Sequence, residues 1–283
     1  MLNDPLAQFA SPALIAWVTP AANRLGFTAL PNHAHEILFA ITLYQFIFVS
    51  SAYVVPLFAK FYPKLSKKDQ INFNIHVVSQ IQCILILALS FPLINDPHFS
   101  PAADNIPTYT PYAGFVCAMT CGYFLWDTYS SIRYAHLFGL GFVIHGISSL
   151  FVFVQALRPY LLPYLPTFLL YELSTPFVNN HWFFNHVPTG TVAEWVKNAN
   201  GIILMLMFLF VRLGFGNYQS YNVAKDLFQP HLLKQFPVWL PVSIMSCNVV
   251  LNLLNIFWFS KMNKALVKKI KGQSDLGAGK KTE

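Results

Sequence analysis

The sequence predicts an all-α fold, a polytopic membrane helix bundle of about seven transmembrane helices enclosing a central cavity. Of its 283 residues 55% are hydrophobic and only 10% are charged, and the mean hydropathy is +0.48. A water-facing domain carries about 25% charged residues. Apolar runs of roughly 20 residues, the length that crosses hydrocarbon, recur along the chain. Several runs carry polar residues on one helical face, the pattern of a shared polar interior. Aromatic residues make up 16%, which suits belts at the two interfaces. These features exclude a soluble enzyme, a disordered chain and a collagen-like fibre.

The first 35 residues contain the semi-apolar piece Pro12 to Leu30, interrupted by Pro20 and Arg24. It reads as an interfacial helix on the lumenal side. Seven stretches then qualify as spans: 36–59, 73–95, 112–131, 136–157, 162–183, 195–214 and 236–260. The organisation is a lumenal N-terminal segment (1–35), a transmembrane domain (36–262) and a basic cytosolic tail (263–283). The N-terminus has no basic stretch ahead of an apolar core, so no cleaved signal peptide is expected.

Charge sets the orientation. The net charge is +7, and Lys60, Lys64, Lys67, Lys68, Arg133, Lys197, Lys261, Lys264, Lys268, Lys269, Lys271, Lys280 and Lys281 fall on one side of the seven spans. Arg24, Arg158, Arg212, Lys225 and Lys234 fall on the other. The richer side is cytosolic by the positive-inside rule, which makes the N-terminus lumenal and the C-terminus cytosolic. The lysine-rich tail is expected to meet anionic headgroups. No basic stripe lies on a soluble face, so nucleic acid is not an expected partner. Lys280 and Lys281 match a dilysine signal for retrieval to the endoplasmic reticulum, read by a receptor.

Ionisable groups at membrane depth cost about 2.5–3.5 kcal/mol each on insertion scales, so they mark cavities or networks. His76 and Ser79 share a face of the second span, and Asp127 lies in the third. His145 and Ser149 lie one turn apart in the fourth; Glu172, Thr175 and Asn179 line one face of the fifth, with His181 just beyond. Asn248, Asn252 and Asn255 form a stripe in the last. No paired-histidine metal box or nucleophile elbow occurs, so no metal site is expected. Cys83, Cys117, Cys121 and Cys247 all sit in apolar runs and read as inert buried thiols.

The run Glu172-Leu173-Ser174-Thr175-Pro176-Phe177-Val178-Asn179-Asn180-His181-Trp182-Phe183-Phe184 resembles the TLC-domain family, to which ceramide synthases belong. Gly122-Tyr123 with Asp127, Leu65-Ser66-Lys67-Lys68 ahead of Asn74 and Ser79, and Asn200-Gly201 with Arg212 are similar to the same family in order and spacing. The resemblance covers residues 36–262 and implies a membrane helix bundle around a lipid-handling cavity. Ceramide synthases use two adjacent histidines, where this chain has Ile144-His145-Gly146. Gln82 stands at a usual histidine, His181 at an arginine, and Asn252 at an aspartate.

The resemblance implies a protein of lipid homeostasis in the endoplasmic reticulum, binding a membrane lipid or acyl chain in the cavity and needing no cofactor. The alternative it implies is an acyltransferase using acyl-CoA, with His145 as base and Asp127 or Glu172 orienting it. The lining expected for the cavity is His76, Ser79, Ser149, Thr175, Asn179, His181 and Asn252. Oligomeric state is open at this level.

Overall fold

The computed structural model describes residues 2–94, 96, 99 and 102–270, and among them every regular element is helical. The lysine pair Lys280 and Lys281 lies outside the described residues. The principal helices are α1 (Pro12–Leu25), α2 (Leu30–Phe58), α3 (Lys67–Ile94), α4 (Pro111–Arg133), α5 (Leu140–Val154), α6 (Thr175–His186), α7 (Glu194–Leu227) and α8 (Trp239–Ile270). Among the described residues, five helical stretches are long and apolar enough to cross a membrane: α2, α3, α7, most of α8, and α5 extended by one 3-10 turn to Leu157. The fold is a helical membrane bundle.

Local sequence chemistry starts the helices. Ser66 and Asp69 cap α3 reciprocally: the Asp69 amide donates to Ser66 Oγ at 3.1 Å, and that hydroxyl donates to the Asp69 carboxylate at 2.7 Å. Thr110 Oγ1 accepts from the Ala113 amide ahead of α4, with Pro111 at the first helical position. Helix α1, capped by Ser11, has only 14 residues, too few to span, and it packs along α2. It ends at Gly26, whose φ of +83° favours glycine and whose missing side chain leaves room for the Arg158 guanidinium.

Helix α4 is the centre of the bundle. Fourteen of its 23 residues are buried, against α2 on one side and α5 on the other. Its small residues explain both its modest hydropathy and its position, because a helix surrounded by helices needs close approach rather than an oily outer face. At Gly122 a Cβ would stand 2.8 Å from the Ile37 carbonyl oxygen and would overlap Ala40. Helix α2 in turn buries Ile37, Ala40, Tyr44 and Ser51 on one face and exposes Phe46, Val49, Tyr53 and Leu57 on the other. That outer row faces lipid.

Three expectations are corrected. The stretch 162–183 is not one helix. It runs as 3-10 turns and short helices over Leu162–Tyr164, Leu165–Leu169 and Leu170–Ser174 before α6 begins, because Pro163, Pro166 and Pro176 lack the amides a continuous helix needs. The last helix continues to Ile270 rather than stopping near residue 260, and Lys269 Nζ donates to Asn198 Oδ1 at 2.7 Å. Arg212 is not a lumenal flank: it is 9% exposed, inside the π-helical part of α7.

Candidate functional site

A cavity opens where α4, α5, the broken segment 162–174, α7 and α8 meet. Its volume is about 80 Å³. The void is therefore narrow, with room for a thin ligand rather than a bulky ring. Phe124, Val152, Phe153, Leu161, Leu165, Phe168 and Leu169 give it apolar walls, and His145, Ser149, Glu172, Arg212, Asn248, Asn252 and Asn255 supply polar groups.

Two irregular backbones build the polar part. Pro176 cannot donate to the Glu172 carbonyl, so that carbonyl takes the Thr175 amide in 3-10 geometry instead. On α7, residues Phe208–Phe215 form a π-helix, a local widening found often at functional sites. It turns Arg212 inward. Arg212 Nε donates to Ser174 Oγ at 2.7 Å, Nη2 to Thr175 Oγ1 at 3.3 Å and Nη1 to Asn255 Oδ1 at 3.5 Å, while the guanidinium lies 5.2 Å from the Phe208 ring centroid. Glu172 lines the same cavity, and its carboxylate and the guanidinium attract one another.

His145 stands edge-on to Phe124 and Trp258, with centroids 6.2 and 5.5 Å away. Its Nδ1 is shielded from water and has no hydrogen-bond partner. A buried polar atom normally finds one, so this nitrogen stands out beside the cavity that His145 lines. Gly146 keeps α5 close to α4: a Cβ there would stand 2.9 Å from Thr128 Oγ1 and 3.2 Å from Asp127 Oδ2.

Of the residues singled out in the sequence, His145, Glu172, Ser149 and Asn252 line the cavity. Asn252 also bridges helices, donating to Ser220 Oγ at 3.2 Å and to Asn248 Oδ1 at 2.9 Å. Thr175 touches Arg212 without lining the void, and Asp127 lies behind it at the α4–α5 contact. His76, Ser79 and Asn179 make a separate knot between α3 and α6. Asn179 Oδ1 pairs with His76 Nδ1 at 2.8 Å, while its Nδ2 donates to Ser79 Oγ at 3.2 Å and Gln80 Oε1 at 3.1 Å. His76 stacks on Trp182 at 4.7 Å. This polar stripe is spent on packing. His181 is exposed and bonded only along its own helix, to Asn185. Gln82 is buried with neither amide atom partnered.

Arg212 was read from the sequence as a lumenal flank and missed as a cavity group; the signal that could have found it is an arginine inside the apolar run Phe208 to Phe215, with no water to reach. Among the described residues a second cluster, Asp4, His33 and Glu36, escaped sequence patterning because its members come from two separate elements. The four cysteines are free, with Cys83, Cys117 and Cys121 buried and Cys247 half-buried.

Fold and cavity together define a multi-pass helical membrane protein built around a polar-ended slot. Residues 72–264 match the TLC domain model shared by the TRAM, LAG1 and CLN8 proteins, and the chain belongs to the TLC-domain family. It is 38% identical over 261 residues to an uncharacterized TLC domain-containing protein of Schizosaccharomyces pombe, covering 92% of this chain and 88% of that one. It is 35% identical over 241 residues to Topoisomerase I damage affected protein 4 of Saccharomyces cerevisiae, covering 81% and 83%. The human TLC domain-containing protein 4 is 28% identical over 251 residues, covering 87% and 90%. No solved structure matches the chain.

Proposed function

We propose that the protein acts in lipid homeostasis by holding a lipid or acyl chain in its bundle cavity, in the endoplasmic reticulum membrane with the N-terminus lumenal and the C-terminus cytosolic. The observation that carries this reading is a narrow slot whose apolar walls end at His145, Glu172 and Arg212, with His145 Nδ1 left unpartnered. Apolar walls suit methylene groups, and Glu172, Arg212 and the asparagines suit an ester, amide or phosphate head. The lysine and arginine bias supports the orientation.

The test is to purify the protein in a mild detergent and identify co-purified lipids by mass spectrometry, beside His145→Ala and Arg212→Gln. The wild type should carry a defined lipid class that both variants lose or exchange. Identical lipid profiles in all three would overturn the proposal. For location, a tagged chain should reside in the endoplasmic reticulum and leak from it when Lys280 and Lys281 are both changed to Ser.

The same unpartnered nitrogen favours a second reading, acyl transfer from acyl-CoA. His145 would take the proton from an acceptor amine or hydroxyl, the freed lone pair would attack the thioester carbonyl, and the departing CoA thiolate would recover the proton from the imidazolium. Asp127 or Glu172 would orient that ring, and Glu172 shares the cavity with it. Incubation with labelled acyl-CoA and candidate acceptors separates the readings, because turnover that disappears in His145→Ala supports an enzyme and its absence supports a binding protein.

A further inference from the structure

A second group of side chains lies apart from the cavity, at the head of α2. His33 and Glu36 are one turn apart in its first two turns, and Asp4 reaches them from the segment ahead of α1. One ligand atom from each lies within 4.8 Å of the others. His33 Nδ1 is 2.8 Å from Glu36 Oε2 and 3.8 Å from Asp4 Oδ2. His33 and Glu36 are 1% and 0% exposed, and the Asp4 side chain 6%. Two carboxylates this close and this shielded repel one another unless a proton or a cation lies between them.

Several details point to a cation. Glu36 Oε1 is buried with no hydrogen-bond partner; the nearby His35 Nε2, 3.6 Å away, is engaged with the Leu6 carbonyl at 2.9 Å. Asp4 Oδ1 accepts the Leu6 amide at 2.8 Å, which fixes the carboxylate and leaves Oδ2 facing His33. His33 Nε2 lies 2.6 Å from the Tyr109 hydroxyl. A ring whose Nε2–H donates to that oxygen presents a bare Nδ1 lone pair to the carboxylates, the orientation that outer partners impose on metal-binding histidines. Gly114 makes the room, since any side chain there would collide with the His33 and Tyr109 rings.

We propose that Asp4, His33 and Glu36 bind one divalent cation of the zinc class. One imidazole nitrogen and two carboxylate oxygens are a zinc-type donor set. The nitrogen argues against magnesium and calcium, which take oxygen ligands. The ion is a clasp: it fastens the segment ahead of α1 onto the first turn of α2, beside the loop that leads into α4. This site is independent of the lipid cavity.

The experiment uses full-length protein in detergent, stripped with a chelator and titrated with Zn²⁺, with bound metal measured by mass spectrometry. The wild type should bind one equivalent, melt higher with zinc, and protect residues 2–11 from hydrogen exchange. Tyr109→Phe should bind roughly tenfold more weakly, as outer-partner losses do. Glu36→Gln and His33→Ala should lose the equivalent, and His181→Ala should keep it. Should the first two fail to fold, Co²⁺ in the wild type decides, giving visible bands without a sulfur-to-metal band. A wild type that binds no equivalent of zinc or cobalt overturns the proposal in favour of a proton shared by Asp4 and Glu36. Zinc retained by a folded His33→Ala, Glu36→Gln double variant overturns it by placing the metal elsewhere.

Discussion

Arg212 Nε donates to Ser174 Oγ at 2.7 Å, and this bond joins the two irregular backbones of the bundle. Ser174 ends the 3-10 run that closes the broken segment, and Arg212 sits in the π-helical stretch of α7. Each irregularity alone would leave a helix poorly tied. Joined, they seat one guanidinium among Ser174, Thr175 and Asn255 and set the position of Glu172 on the cavity wall.

Arg212→Lys should not rescue this arrangement. The ammonium keeps the charge but lacks the planar fork that reaches three oxygens at once. We expect a loss of about 1.5–3 kcal/mol, the worth of hydrogen bonds to a charged group. Arg212→Ala should cost about 3–5 kcal/mol by leaving Glu172 without its positive neighbour. Thermal unfolding in detergent ranks the two, and a lysine variant as stable as the wild type would show that charge alone matters.

Gly122→Leu should break the α2–α4 crossing. A Cβ alone meets the Ile37 carbonyl at 2.8 Å, and further atoms have nowhere to go, so the helices must part. Gly122→Ala should cost about 1–3 kcal/mol, as overpacking does, and the leucine variant should fail to yield folded protein. Size-exclusion profiles after solubilisation report this directly, and a well-folded leucine variant would mean that the crossing is loose.

The bundle was legible because hydropathy records which helices face lipid, as α2 and α8 do. Helix α4 was legible too, as the stretch 112–131, because its small residues still make an apolar run of spanning length. Residues 162–174 were misread as continuous helix, since composition there is apolar and Pro163 and Pro166 act through the backbone, by a missing amide and a ring that crowds the preceding turn. At the candidate site, His145 and Glu172 stood out by their charge cost at depth. Asn179 stood out only as part of the polar stripe with Glu172 and Thr175, and its amide is satisfied within the bundle, a distinction that depends on geometry between helices. Asp4, His33 and Glu36 were invisible because Asp4 reaches α2 only through a fold in the N-terminal segment.

Arg158 should matter for the end of the bundle where α1 meets α8. Its guanidinium lies 4.6 Å from the Phe27 ring centroid and 5.5 Å from that of Trp239, and its Nε donates to Gln155 Oε1 at 3.2 Å. Burial lowers its pKa from the ordinary arginine value, yet it remains a cation at any physiological pH. Arg158→Ala should lose about 1–2 kcal/mol from two cation–π contacts, and faster hydrogen exchange in residues 23–29 would register it. Unchanged exchange there would show that α1 is held by its packing on α2 alone.

Asn179 and His145 make a matched pair for separating polar groups that hold the bundle from those left for a ligand. Asn179→Ala removes an amide that satisfies His76, Ser79 and Gln80 together, and each partner left unpaired costs about 1–3 kcal/mol. His145→Ala removes no hydrogen bond at Nδ1 and forfeits only edge contacts with Phe124 and Trp258, worth about 0.5–1.5 kcal/mol each. The melting temperature should therefore fall much further for Asn179→Ala, while the co-purified lipid should change more for His145→Ala. The opposite order in stability would mean that His145 is a packing residue and that the cavity draws its polarity from Arg212 and Glu172 alone.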